Sequence, residues 1–256
     1  MKETSNETIE DINKAFYDDV YKSKNSVLHY LHQLLSYDQQ SKSKVNYRVL
    51  IKHFRRIRNL NILDYGSGHG CLLFKFGKSN SLNGCDISTE SVKNLIRTGN
   101  YIGKKIDAFT PDQAEEHIKD ETLDIVTSSH VLEHVPDDIE IIRLLHRKLR
   151  KGGTLLLNLP INEVWNDPNH LRSYTEDDIL NLLENNGFEI IDRKRAGRIN
   201  GWMLKTIGEK SFFVKLTVKV IKVFLAVSPY FVYSYFENNV FKHRIHTHFI
   251  VLSRKS

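Results

Sequence analysis

The sequence has little of what builds disulfide-rich, secreted or membrane-spanning proteins. It contains only two cysteines among 256 residues, Cys71 and Cys85, too few for a disulfide framework. No stretch approaches the roughly 20 apolar residues that a membrane-spanning helix needs. The first residues are polar and acidic and lack the apolar core of a signal peptide. We therefore expect a cytoplasmic protein with an ordinary hydrophobic core.

Acidic residues are scarce in the last quarter of the chain. Residues 193–256 contain 13 Lys or Arg but only 2 Asp or Glu, in a chain with a formal net charge of +6. Such a basic region suits nucleic acid, an anionic small substrate or a membrane surface, and it is equally compatible with a solvated helical face. The sequence contains no recognisable RNA-binding module, which disfavours nucleic acid.

Helical periodicity dominates residues 1–58, whereas short apolar runs alternate with helical segments from residue 59 onward. In the first region the polar run SYDQQSKSK is predicted to be a loop between helices. In the second, seven apolar runs predict strands, and a helix is expected over residues 71–78. This alternation favours an α/β fold, a Rossmann-like seven-stranded mostly parallel sheet with helices on both faces. We expect a helical cap at 1–58 and a sheet domain at 59–256, with a helical lid insertion at 202–236.

The segment LDYGSGHG places glycines at every second position after the first apolar run. Glycine permits positive φ and close approach of a ligand, so Gly66, Gly68 and Gly70 indicate a turn beside a binding site. Asp86, at the end of the second predicted strand, suits hydrogen bonding to a ribose diol. The nicotinamide pattern G-x-G-x-x-G is not reproduced, and the carboxylate of Asp64 would repel a pyrophosphate but attract an ammonium. S-adenosylmethionine therefore fits this turn better than a dinucleotide.

Four segments in order, LDYGSGHG, CDIS, LDIVTSSHVLEHV and LRKGGTLLLNLP, resemble the successive motifs of class I S-adenosylmethionine-dependent methyltransferases. The resemblance covers roughly residues 60–187. It implies that the methionine part of the donor is held by Asp64, Gly66, Ser67 and Gly68. The ribose and adenine contacts that it implies are Asp86, Ile87, Asp107 and Ala108. It further implies that Ser129 or His130 flanks the sulfonium.

Candidate catalytic histidines follow the fourth and fifth strands. SSHVLEHV contains His130, Glu133 and His134, which a helical turn would place together. Quinone-pathway O-methyltransferases, which this segment resembles, hold a divalent ion with an acid at the position of His130. Because His130 replaces that acid, we expect no metal, although a His/Glu/His set would also suit a transition metal. After strand five, WNDPNHLRSYT offers His170 as the preferred general base, with Asp167 to orient it.

Several other side chains carry weaker expectations. Arg172 or Tyr174 would hold an anionic or hydroxylated substrate. The N-terminal helices would cap the cofactor through Tyr17, Tyr21 and Tyr30. The histidines expected at the surface or half-buried are His29, His32, His53 and His146, and His246 and His248 would share one face of the last strand.

The segment FFVKLTVKVIKVFLAV is a predicted amphipathic helix. Its spacing places Lys215, Lys219 and Lys222 on one face and apolar residues on another. The helix either packs on the domain with its lysines in water or lies on an anionic membrane through residues 211–227. Both alternatives stay open at the level of the sequence.

The favoured function is transfer of a methyl group from S-adenosylmethionine to a hydroxyl of a small molecule, with S-adenosylhomocysteine as product. The segment HLRSYT resembles methyltransferases of bacterial surface-polysaccharide and natural-product pathways, so a nucleotide-activated sugar or a phosphorylated precursor is the favoured acceptor. The alternatives are a quinone or lipid O-methyltransferase docked on the inner membrane surface, an RNA methyltransferase, a non-catalytic regulator and a dehydrogenase. The sequence leaves the oligomeric state undetermined.

Overall fold

The computed structural model describes residues 8–22, 26–163, 169–207 and 212–256. A seven-stranded sheet has the strand order β3-β2-β1-β4-β5-β7-β6. The strands are β1 (Asn61–Tyr65), β2 (Ser81–Cys85), β3 (Asp107–Phe109), β4 (Leu123–Ser129), β5 (Leu149–Pro160), β6 (Phe188–Ala196) and β7 (His248–Lys255). Strands β1 to β5 pair in parallel, and β7 pairs antiparallel with both β5 and β6. The predicted Rossmann-like, mostly parallel sheet is confirmed.

Helices precede the sheet, connect its parallel strands and fill the segment before β7. The N-terminal helices are α1 (Ile9–Val20), α2 (Ser26–Leu35) and α3 (Tyr37–His53). Those between strands are α4 (Thr89–Tyr101), α5 (Pro111–His117), α6 (Asp138–Lys148) and α7 (Glu176–Glu184). The segment before β7 contains α8 (Arg198–Ile207), α9 (Phe212–Val227) and α10 (Tyr230–Tyr235), followed by a π-helical turn at Phe236–Val240. The predicted helical region at 202–236 overlaps these helices, and its residues 208–211 lie outside the described part of the chain.

The prediction of a loop at SYDQQSKSK is wrong, because these residues form the first half of α3. Gln40, Ser41, Ser43 and Asn46 are buried although they are polar. Ser43 and Asn46 border the cavity described below, so this helix lacks the apolar stripe from which helices are recognised.

The prediction of a helix over residues 71–78 is also wrong. The segment contains only a short 3-10 helix at Leu73–Lys75. Leu73 and Phe76 are fully buried there, so the apolar residues of this stretch anchor a tight turn instead of one side of a helix. Cys71 and Cys85 are both buried and free.

The sheet is covered by helices on both faces, because alternate residues of its central strands enter two separate clusters. In β5, Leu156 belongs to one cluster, and Leu155 and Leu157 belong to the other. All three are fully buried, and burial of each such side chain stabilises the fold by about 1.5–3 kcal/mol.

The strand order reverses at β1, which lies between β2 and β4. Tyr65 at the end of β1 pairs with Cys85 on one side and with Ser128 on the other. The carboxyl ends of these parallel strands thus meet at one edge, the position at which open α/β sheets bind ligands.

Lys44 fastens the helices before β7 to the N-terminal helices. The Nζ of Lys44 on α3 donates to the carbonyl oxygens of Leu225, Ala226 and Ser228 at 2.8, 2.7 and 2.5 Å. These carbonyls lie at the end of α9, where helix geometry leaves acceptors without intrahelical partners. Across the described ranges, the helices are too short or too polar to span a bilayer.

Candidate active site

A cavity of about 570 Å³ lies at the carboxyl ends of β1, β4 and β5. Its glycine half follows β1 and is bordered by Asp64, Gly66, Ser67, Gly68, Tyr17 and Tyr21. Its histidine half follows β4 and β5 and is bordered by Ser129, His130, His134, Glu163, His170 and His248. The structure thus brings most of the predicted site residues to one place.

The glycine turn is required by packing as well as by the cavity. Gly66 and Gly68 line the cavity and have φ of 77° and 48°, which L side chains rarely adopt. A Cβ atom on Gly66 would lie 2.0 Å from Cγ2 of Val131, and one on Gly68 would lie 2.9 Å from Oη of Tyr21. Gly70 likewise faces Leu95. The missing side chains of these glycines therefore make room for neighbouring protein side chains.

Asp64 places a carboxyl group in the floor of the glycine half. It is buried and accepts a 2.6 Å hydrogen bond from Oγ1 of Thr127. Burial raises the pKa of Asp64 to about 7, the charge of Asp86 adds to this, and the hydrogen bond from Thr127 opposes it. An ammonium group beside Asp64 would favour its ionised form.

Two serine hydroxyl groups of the cavity lining have no hydrogen-bond partner in the described parts of the chain. They are Oγ of Ser67 and Oγ of Ser129, both buried and both in residues that line the cavity. Buried polar atoms are normally satisfied, so these hydroxyls indicate a polar ligand. Ser67 lies with Asp64 in the glycine half and fits a contact with the amino-acid part of S-adenosylmethionine, whereas Ser129 borders the histidine half.

Asp86 lies at the end of β2 but outside the described lining of the cavity. Its two carboxylate oxygens accept hydrogen bonds from the backbone N–H of Gly68 at 2.7 Å and of Ser88 at 3.0 Å. Burial raises the pKa of Asp86 to about 6, and these hydrogen bonds oppose the shift. Asp86 therefore fastens the glycine turn to β2, and its contact with a ribose stays a prediction.

The predicted adenine contacts are also separate from the cavity. Ile87 is half-buried, Asp107 is exposed and Ala108 is buried in β3. The described cavity lining does not include these residues. Their roles stay predictions.

Helix α1 covers the glycine half. Tyr17 and Tyr21 line the cavity with their rings stacked at 6.0 Å, as expected of a cap. Asp18 accepts a 2.6 Å hydrogen bond from Oγ of Ser88 and ties α1 to the start of α4. The ring of Tyr30 instead contacts Phe74 and Tyr101, away from the cavity.

Helix α2 is fastened to the glycine turn by a buried pair of histidines. Nε2 of His29 lies 2.8 Å from Nδ1 of His69, and burial lowers the pKa of His29 to about 4 and that of His69 to about 3. The prediction of a surface or half-buried His29 is wrong, because a second imidazole satisfies its ring. His32 and His53 are exposed and His146 is half-buried, as predicted.

His130 follows the end of β4 and has a positive φ of 57°, a left-handed backbone conformation that is more common for glycine. Its Nε2 lies 3.2 Å from Nδ1 of His248, whose Nε2 lies 2.9 Å from the amide nitrogen of Asn200. Burial lowers the pKa of both histidines well below the ordinary value. His246 is not on the same face as predicted, because β7 begins only at His248.

Glu133 is fully buried beside His130. Its Oε1 lies 3.2 Å from Nδ1 of His130, yet neither carboxylate oxygen makes a hydrogen bond among the described residues. Burial raises the pKa of Glu133, and the neighbouring His134 and Lys42 oppose the shift.

His170 and His134 meet in the histidine half. Their ring centroids are 4.8 Å apart in an edge-to-face arrangement, and Nδ1 of His134 lies 3.0 Å from the carbonyl oxygen of Asn169. Nδ1 of His170 lies 2.6 Å from Oε1 of Glu163. Glu163 thus has the orienting position that the sequence analysis assigned to Asp167, which lies outside the described residues.

The metal-ligating atoms of Glu133, His134 and His170 lie within 4.8 Å of one another. This differs from the expected cluster of His130, Glu133 and His134. Because His130 has positive φ and only a 3-10 turn follows it at Leu132–His134, His130 and His134 do not share a helical face. The expectation of no metal is untested.

The predicted substrate contacts Arg172 and Tyr174 make hydrogen bonds within the protein. Arg172 donates to the carbonyl oxygens of Leu132 and Pro136 at 3.2 and 2.6 Å, and Oη of Tyr174 donates to Asp138 at 2.6 Å. These bonds fasten the chain after β5 to the segment after β4. Both side chains lie outside the described cavity lining, and their contact with a substrate stays a prediction.

Sequence reasoning missed Lys42, Asn46 and Asn200. All three line the cavity, two from α3 and one from α8. A run of polar residues gives no hydrophobic pattern, so the only signal was a lysine and an amide four residues apart. Asn46 accepts a 2.9 Å hydrogen bond from Nδ2 of Asn158 on β5.

Comparison with known proteins shows similarity to methyltransferases. Residues 24–193 match the family described as methyltransferase domain. The chain is 34% identical over 106 residues to a ubiquinone biosynthesis O-methyltransferase of Hydrogenovibrio crunogenus, covering 40% of this chain and 44% of that protein. It thus spans less than half the length of this curated relative.

Solved structures show the same fold. The [4+2]-cyclase SpnF superposes with a TM-score of 0.60 at 18% identity, covering 85% of this chain and 82% of that one. Phosphoethanolamine N-methyltransferase 2 of Haemonchus contortus, crystallised with S-adenosylmethionine, gives 0.57 at 15% identity, covering 82% and 52%. Such likeness shows the fold alone. Because the family match spans more than half of the sequence, the chain belongs to the methyltransferase-domain family.

Proposed function

We propose that the protein methylates a hydroxyl group of a small molecule, with His170 as the general base. The observation that carries this proposal is the position of His170, which lines the histidine half with Nδ1 2.6 Å from Glu163. A carboxylate at that distance orients the imidazole and stabilises its protonated form. A hydroxyl is a poor nucleophile until it loses its proton, which His170 would accept at Nε2.

The glycine half would hold the methyl donor. When bound, S-adenosylmethionine supplies a methyl group activated by its sulfonium. Asp64 and Ser67 would hold the amino-acid part, and Ser129 borders the neighbouring histidine half. Tyr17 and Tyr21 would exclude water and fix the position of the donor, and such positioning contributes much of the rate of a displacement reaction.

The relatives favour an acceptor of the quinone or lipid type over the activated sugar favoured by the sequence analysis. The curated relative named above is a ubiquinone biosynthesis O-methyltransferase, although the match covers less than half of its length. The resemblance of HLRSYT to surface-polysaccharide enzymes rests partly on Arg172 and Tyr174, whose side chains fasten a loop. We therefore propose a hydroxylated amphiphile as the acceptor.

Helix α9 supports membrane contact. Its buried residues Val218, Leu225 and Ala226 pack on the protein, as one apolar face should. A second apolar row is exposed, formed by Phe213, Leu216, Val220, Val223, Phe224 and Val227. We name these six residues the outer row. The sequence pattern had placed the lysines opposite a single apolar face, whereas the helix has two.

The outer row is flanked by positive charge. Lys215 and Lys219 are exposed, and α9 has no acidic residue over Phe212–Val227. An apolar row beside lysines suits the surface of an anionic bilayer. Lys222 of the same helix lines the cavity, so a docked α9 would bring an acceptor in the bilayer close to the cavity.

The proposal is tested with methyl-labelled S-adenosylmethionine and a metabolite extract divided into organic, aqueous and RNA fractions. We expect label in the organic fraction with the natural protein and none with His170→Ala. His117→Ala, which changes an exposed histidine on α5, is the matched control and should leave labelling unchanged. Label in the aqueous sugar fraction or in RNA would instead support the corresponding alternative acceptor.

A further inference from the structure

One lysine of α3 lines the cavity. Lys42 is part of the cavity lining together with Ser43 and Asn46 of the same helix. Over the described ranges of the chain, Lys42 makes neither a hydrogen bond nor an ion pair. Among the described residues, the ammonium group of this cavity-lining lysine therefore has no neutralising contact.

Other lysines on or packed against α3 have direct contacts with protein atoms. Lys44 donates to carbonyl oxygens at the end of α9, and Lys75 donates to Oε1 of Gln40 at 3.2 Å. Lys222 lies 3.5 Å from Oδ2 of Asp38 and over the ring of Tyr37. Lys42 differs from them although it lies on the same helix as Lys44.

The groups around Lys42 belong to the histidine half. Its charge acts on His130 and His248, whose pKa values are well below the ordinary value, so both rings are neutral at pH 7. The carboxyl of Glu133 has a raised pKa and therefore carries its negative charge less readily than a surface glutamate. Burial lowers the pKa of Lys42 itself, whereas Glu133 and Asp38 oppose this shift.

We propose that Lys42 is an anion-binding residue of the acceptor site, which takes a carboxylate or another oxyanion attached to the hydroxylated acceptor. An unpaired cation in a partly buried wall is stabilised when a ligand brings the opposite charge, and hydrogen bonds between charged groups are stronger than neutral ones. The donor would instead place its ammonium near Asp64, in the other half. This inference rests on the proposed function and specifies the chemical class of its acceptor.

The test uses two small probes that differ in charge but little in shape, 3-hydroxybenzoate and 3-hydroxybenzamide. Calorimetry is carried out with S-adenosylhomocysteine at saturation, so that the donor site is filled. The natural protein should bind the benzoate at least about tenfold more tightly, as expected of a hydrogen bond to a charged group. Lys42→Met should abolish that preference, and Lys42→Arg should keep most of it.

Lys219→Met is the control, since Lys219 is an exposed lysine of α9 outside the described cavity lining. This variant should keep the preference for the benzoate. Thermal unfolding of each variant checks that it is folded.

Two outcomes would overturn the inference. The first is equal binding of both probes by the natural protein. The second is a Lys42→Met variant that binds S-adenosylhomocysteine more weakly but keeps the preference for the benzoate, which would assign the lysine to the donor site. Failure of the proposed function can be distinguished from failure of this inference, because S-adenosylhomocysteine itself would then not bind to the folded natural protein.

Discussion

Glu163 and His170 approach each other to 2.6 Å across the mouth of the histidine half. Both residues belong to the connection that follows β5, and together they place an acid beside a candidate base. The pair is the feature of the site on which the proposed chemistry depends most.

Glu163→Gln should slow methyl transfer by about ten- to a hundredfold, because a neutral amide cannot stabilise a protonated His170. Binding of S-adenosylhomocysteine should be unchanged, since Glu163 does not border the glycine half. Single-turnover rates with labelled donor measure the effect. The control is Glu189→Gln, an exposed position on β6. A full rate in Glu163→Gln would show that the pair is only structural.

Asp86→Ala should lower stability as well as donor affinity. Its carboxylate holds the N–H groups of Gly68 and Ser88, and the loss of such bonds costs about 1–3 kcal/mol. Asp86→Asn keeps one accepting oxygen and should be affected less. Thermal unfolding with and without S-adenosylhomocysteine separates the two effects. If affinity falls while the melting temperature is unchanged, the carboxylate serves only the ligand.

Gly66→Ala should destabilise the protein by about 2–4 kcal/mol, since positive φ and overpacking both contribute. The added methyl would lie 2.0 Å from Cγ2 of Val131. Gly152→Ala is a matched control, because Gly152 has φ of 72° but no atom within 4 Å of an added Cβ. The combination with Val131→Ala should recover the packing part of the loss, as measured by chemical unfolding. Equal losses at the two glycines would contradict a packing role.

Replacement of Phe213 and Phe224 in the outer row by serine should abolish binding to vesicles that contain phosphatidylglycerol. These side chains are 77% and 51% exposed, so the fold should tolerate the change. Binding of the natural protein should also weaken at high salt, because the flanking lysines contribute electrostatically. Ile139→Ser on α6 is the control and should bind normally. If the natural protein does not bind vesicles but sediments as a dimer, and the serine variant sediments as a monomer, the outer row is a subunit interface.

The sheet could be predicted from the sequence because its strands are short apolar runs between turn residues. The glycine half could be predicted as well, since Asp64, Gly66, Ser67 and Gly68 are contiguous along the chain. Local pattern is enough when the residues of a site are sequence neighbours.

The histidine half could be predicted only in part. Lys42 and His248 reach it from opposite ends of the chain, and neither lies in a segment whose pattern points to a cavity. The role of His130 depends on its positive φ, and that of Arg172 depends on hydrogen bonds to backbone carbonyls. Neither feature can be read from the identity of the side chain. Tertiary placement decides these roles.

The measurement that tests the account most directly is a calorimetric titration with S-adenosylhomocysteine at pH 8 and pH 6, with NADH as a control ligand. The donor ammonium requires ionised Asp64, whose pKa of about 7 means that a proton must be lost on binding below that pH. We predict micromolar binding at pH 8 that weakens about tenfold at pH 6, and weaker binding with little pH dependence in Asp64→Asn. Absence of binding at pH 8 in a folded sample, or binding of NADH instead, would contradict the donor site.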